Sequence, residues 1–67
     1  MKIFAERLKA QRKAQKRPQK EMAELLGVTV RGYQYYEEDK REPTYDNLVL
    51  LAKYLNVSTD YLLGLKD

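Results

Sequence analysis

Between Gln19 and Glu37 the chain reads QKEMAELLGVTVRGYQYYE, two short helical patterns divided by a glycine, and few folds accommodate that order. In the first segment Met22, Ala23 and Leu26 fall on one helix face; in the second Val30, Tyr33 and Tyr36 fall near one face. Gly27 stands just past Leu26, the position where an ending helix often needs a positive φ, which glycine adopts without a Cβ penalty. Thr29 then offers an N-cap, and Val28 lies at hydrophobic-staple spacing from Tyr33. The expected unit is a helix, a tight turn and a second helix whose apolar faces meet.

Numbered from Gln19 as first residue, alanine is fifth (Ala23), glycine ninth (Gly27), and apolar side chains are fourth, eighth, tenth, fifteenth and eighteenth (Met22, Leu26, Val28, Tyr33, Tyr36). This pattern resembles the helix-turn-helix of the phage-repressor and Cro family, the Xre-type regulators. The resemblance runs from about Phe4 to Gly64, and it implies an all-α, five-helix, lambda-repressor-like DNA-binding domain occupying residues 1–67 as a single unit.

The chain has little material for other chemistry. The 67 residues contain no cysteine and no histidine, and Ser58 is the only serine. Disulfides, thiolate or imidazole metal sites and the usual nucleophile–base pairs therefore lack material, so neither an enzyme nor a cofactor or metal site is expected. A chain of this size buries only about 60% of its unfolded surface, so an oligomeric partner would help its stability. No apolar run approaches the ~20 residues a membrane span requires, and Glu6 and Arg7 interrupt the start where a signal-peptide core would lie. A soluble, cytoplasmic chain is the expectation. Its net charge of +3 is unevenly spread: residues 1–36 carry nine Lys/Arg against three acids, residues 37–67 four against seven. A cationic half suits phosphates and leaves the other end for protein contacts.

Taken in order, a first helix runs from about Lys2 to Gln15, with Phe4 and Leu8 inward and the polar Gln11, Arg12 and Gln15 continuing that face. Arg17-Pro18 supplies neither the side-chain cap nor the apolar staple that begins such a second helix in the family, so that start is expected to fray. The third helix spans Val30 to about Glu37. After the EEDKREP loop, in which Asp39 is suited to a left-handed conformation, Thr44 caps a fourth helix with Asp46 in its first turn. Leu48, Leu51, Ala52 and Leu55 complete the core. Ser58 caps a short fifth helix.

On the family pattern Val30, Arg31, Gly32, Gln34 and Tyr35 point outward, toward bases in the major groove. A guanidinium at Arg31 can bond guanine O6 and N7 together, whereas Val30 offers only apolar contact. Gln34 and Tyr35 are within reach of either bases or phosphates. Gly32, unfavourable within a helix, is explained by close approach to DNA or by chance. The resemblance implies phosphate contacts from Gln19, Lys20, Lys40 and Arg41, each also readable as solvated surface. It also implies that Arg12 pairs with Glu37, a contact assigned to the fold. Tyr33 and Tyr36 are expected in the core with hydroxyls reaching the surface, and Tyr61, Leu62 and Leu65 are the candidate dimer contacts.

The function expected is a regulator, a repressor by output, that binds double-stranded operator DNA of palindromic sequence as a homodimer. The competing class is an antitoxin or anti-repressor subunit acting through protein contacts. An RNA-binding role ranks third, for want of an aromatic platform on a sheet.

Overall fold

A computed structural model describes residues 2–67 and contains α1 (Lys2–Ala14), α2 (Gln19–Leu26), α3 (Val30–Glu37), α4 (Tyr45–Leu55) and α5 (Thr59–Leu63). Among the described residues there is no strand. Helices α2 and α3 form the most extensive pair, α1 lies against α3 and α5, and α4 packs on α5 and α2. Phe4, Leu8, Met22, Tyr33, Leu51, Leu55 and Leu62 are fully enclosed where these helices meet. No helix among the described residues is long and apolar enough to cross a membrane.

Local chemistry explains where the helices start. Thr29, Thr44 and Ser58 each sit in extended backbone and accept a hydrogen bond from an amide three residues on, from Gly32, Asn47 and Tyr61. Each cap satisfies one of the amides that a helix N-terminus leaves without an intrahelical partner. Pro18 begins α2 without a side-chain cap. That start is nonetheless held: Arg17 Nη1 donates to Glu21 Oε2 at 2.7 Å, its guanidinium lies 4.5 Å from the Tyr54 ring centroid, and the Tyr54 hydroxyl also bonds Glu21. The expected fraying took no account of this polar tie to α4.

The helix ends share one geometry made from different residues. Gly27 has φ +69°, with its amide on Glu24 O and that of Val28 on Ala23 O. Asn56 repeats the arrangement after α4, and Lys16 after α1, both at φ +57°. Lysine has no intrinsic preference for that region, so nothing in its side chain announced the turn, and α1 closes at Ala14, just short of Gln15. Asp39 at φ +61° adopts the left-handed conformation expected of it.

Two expectations about burial need correction. Leu62 is wholly enclosed by the domain and has no surface to offer a second subunit. The Tyr33 hydroxyl does not reach solvent; it is buried on Glu37 at 2.5 Å. Leu26, on the face shared with Met22 and Ala23, packs against the core as expected and is itself partly buried. The polar end of the inward α1 face is satisfied: Gln15 Nε2 donates to Leu55 O at 2.7 Å and Gln11 Nε2 to the Tyr61 hydroxyl at 3.3 Å.

Candidate nucleic-acid interface

The αL turn at Gly27 and the Thr29 cap set α3 against α2, and the buried Tyr33 and Tyr36 fix its rotation, their rings meeting edge to face at a centroid distance of 6.4 Å. This rotation decides which α3 side chains face out. Val30 and Arg31 are exposed, and Gln34 and Tyr35 are half-buried. Gly32 does not face out. It is buried, and a Cβ there would lie 3.2 Å from Thr29 Oγ1 and 3.6 Å from Val28 Cβ, so it belongs to the turn beneath the cap.

Arg31 and Arg41 converge on Tyr35, their guanidinium carbons 5.3 and 5.6 Å from its ring centroid. A residue from the loop after α3 is thereby brought beside the helix, in a cation–π arrangement that keeps both charges at the surface. Lys20 is exposed on α2, and Lys40 pairs with Glu38 at 3.3 Å. Gln19 is turned inward, its Nε2 donating to Glu37 Oε1 at 3.2 Å and its Oε1 accepting from Gln34 Nε2 at 3.0 Å.

Behind this surface lies the Glu37 carboxylate. It accepts from Arg12 Nε at 2.5 Å and Arg12 Nη2 at 3.2 Å, from the Tyr33 hydroxyl and from Gln19. Arg12 Nη1 donates to Arg17 O at 2.9 Å, so one guanidinium ties α1 to α3 and to the start of α2. Burial is the largest influence on the Glu37 carboxyl and by itself raises its pKa. The hydrogen bonds from Arg12, Tyr33 and Gln19, with the charge of Arg12, outweigh it and hold the group below its ordinary value. Conversely the Tyr33 phenol is pushed well up, first by burial and then by donating to Glu37. This constellation holds position and charge; among the described residues no cluster of carboxylates is placed to bind a metal ion.

In the basic first half of the chain three of the four arginines are engaged within the fold and Arg31 is not. Arg12 is buried and Arg7 and Arg17 are half-buried in contacts within the domain, Arg7 donating to Tyr61 O at 2.6 Å beneath its own cation–π contact with that ring. Lys2, Lys9, Lys13, Lys16 and Lys20 are exposed. The excess charge counted from the sequence therefore overstates the charge available to a ligand. Planar guanidinium makes several fixed hydrogen bonds and is the weaker hydrated of the two cations, so Arg7, Arg12 and Arg17 enter the fold while the lysines, and Arg31 on α3, stay in water. What the sequence did carry was the i,i+4 spacing of Arg17 with Glu21 and of Tyr33 with Glu37, both of which are in contact here.

Residues 8–62 match the family model described as "Helix-turn-helix". The chain is 40% identical over 97% of its length to the uncharacterized HTH-type transcriptional regulator YobD of Bacillus subtilis, covering 58% of that protein. It is 44% identical to the cryptic phage CTXphi transcriptional repressor RstR of Vibrio cholerae, over 88% of the chain and 53% of the repressor. With repressor protein C2 of Salmonella phage P22 it shares 36% identity over 91% of the chain and 28% of that protein. The chain thus spans about half the length of the first two relatives and less of the third. No solved structure gives a significant match.

Proposed function

The chain belongs to the helix-turn-helix family, and from that membership we propose that it binds double-stranded operator DNA in a sequence-specific manner and acts as a transcriptional repressor. The observation that carries this is the outer face of α3, where Arg31, Gln34 and Tyr35 lie side by side and Arg41 from the following loop joins them on Tyr35. Helix α3 enters the major groove. There Arg31 has the chemistry to read guanine, Val30 to meet a thymine methyl, and Lys20, Lys40 and Arg41 contact flanking phosphates. The names of relatives from a cryptic phage and from phage P22, both repressors, support the sign of regulation.

One α3 reads too few bases for useful selectivity, so the operator is palindromic and the protein a homodimer, with half-sites about one helical turn, or roughly 34 Å, apart. Of the expected dimer contacts only Leu65 is strongly exposed, at 75%, while Tyr61 is half-covered by Arg7. Tyr45, 89% exposed, borders an apolar hollow of about 150 Å³ lined also by Phe4, Leu48 and Leu63, which adds area suited to a second subunit. Selection from random duplexes tests the whole reading. An enriched palindrome, both halves protected in footprints, is the expected outcome; a stable protein complex with no DNA enrichment would replace it with the antitoxin or anti-repressor role.

A further inference from the structure

Four polar side chains form a single directed relay from the interior to the α3 surface. Glu37, as a carboxylate, can only accept, so the nitrogen of Gln19 must face its Oε1, at 3.2 Å. The Gln19 oxygen must then face Gln34, whose Nε2 donates to it at 3.0 Å. That leaves the Gln34 oxygen toward Arg31, whose Nη1, a donor only, lies 3.4 Å away at the long end of hydrogen bonding. The carboxylate orients the Gln19 amide, and Gln19 in turn orients that of Gln34, to which exposed Arg31 adds a longer contact.

We infer that Gln34 reads adenine and that Gln19 is its positioning residue, not primarily a phosphate ligand. Within the relay Gln34 uses one N–H and one oxygen lone pair, leaving one of each. A donor beside an acceptor matches the adenine N7 and N6 edge. Guanine presents two acceptors there, cytosine a donor, and thymine an acceptor with a methyl group. An amide held in that orientation favours that pairing over the others. Because Gln19 is anchored on Glu37, the buried ion pair sets the orientation of a base-reading group that it does not touch.

This rests on the DNA-binding reading above, and two measurements keep their failures apart. In the free protein, Gln19→Ala keeps the fold and lowers melting by less than Tyr33→Phe, since half-buried Gln19 can be replaced on Glu37 by water, but it shifts and unprotects the side-chain amide resonances of Gln34; resonances that do not move overturn the relay whether or not the protein binds DNA. On the selected operator, wild type is expected to prefer adenine at one position per half-site by about tenfold to a hundredfold. Gln34→Ala abolishes that preference, Gln19→Ala removes most of it, and the double variant loses no more than Gln34→Ala alone, all with an unchanged salt slope. A Gln19→Ala protein that weakens every sequence equally while keeping the preference makes Gln19 an independent backbone contact and overturns the assignment. Failure of the wild type to select any duplex would instead refute the function proposed above.

Discussion

The domain uses arginine, glutamate and tyrosine together in two places. Arg12, Glu37 and Tyr33 meet between α1 and α3, with the ion-pair side chains 11% and 3% exposed. Arg17, Glu21 and Tyr54 meet where α2 starts against α4, with the pair 35% exposed on each side. Both carboxyls lie below their ordinary values, Glu21 chiefly through the Tyr54 hydroxyl and then Arg17, Glu37 through several bonds acting against burial. In the surface triad water stands ready to replace any lost partner. In the buried one water has little access, and every described buried polar side-chain atom is already partnered within the protein. The same residues thus make an interchangeable tie in one place and an indispensable one in the other.

The largest contrast is expected from deleting a carboxylate. Glu37→Ala strands the Arg12 charge and should cost about 3 to 5 kcal/mol, a large share of the stability of any small domain. Replacing both Arg12 and Glu37 by leucine or methionine should recover much of it, as denaturant melts without DNA would show. Recovery that fails would mean that the pair adds more than its own compensation. Next in size is Tyr33→Phe, which removes one bond to a buried charge and should cost about 1.5 to 3 kcal/mol. Tyr54→Phe, measured beside it, should cost clearly less.

A pH titration sharpens the comparison further. Because the folded Glu37 carboxyl is depressed, its contribution is complete at neutral pH. It begins to fall as pH drops below about 4.3, the ordinary glutamate value, and is gone once pH passes the folded pKa. Stability of Glu37→Gln should therefore decline less steeply with acid than that of wild type; identical slopes would assign the acid sensitivity elsewhere. The smallest effect belongs to Glu21→Gln, whose slight loss should shrink further as salt is added.

How much of this could be read from the sequence depends on range. Caps at Thr29, Thr44 and Ser58 and the turn at Gly27 follow from residues a few positions apart, and those are legible. The Arg12–Glu37 contact spans three helices and was suggested by family resemblance, not by spacing. Its additional partners, Gln19 and Tyr33, became evident only with the helix crossing in hand, although Tyr33 and Glu37 stand at i,i+4. Gly32, outward on the family pattern, and Leu62, a dimer candidate from the less basic half, are both buried because neither a family pattern nor a charge balance says how far the neighbouring turn or helix covers a residue. Lys16 was missed for another reason: its left-handed backbone is imposed by the closing bonds of α1, not by its side chain.

Central to the account is that charge in this domain is divided between fold and ligand by burial, with Arg12 on one side and Arg31 on the other. Thermal melts of Arg12→Ala and Arg31→Ala in the absence of DNA test it most directly. Arg12→Ala should unfold or melt far below wild type, while Arg31→Ala, exposed on α3, should melt with it. An Arg12→Ala protein that melts like wild type yet binds operator poorly would contradict the division and move Arg12 to the DNA surface.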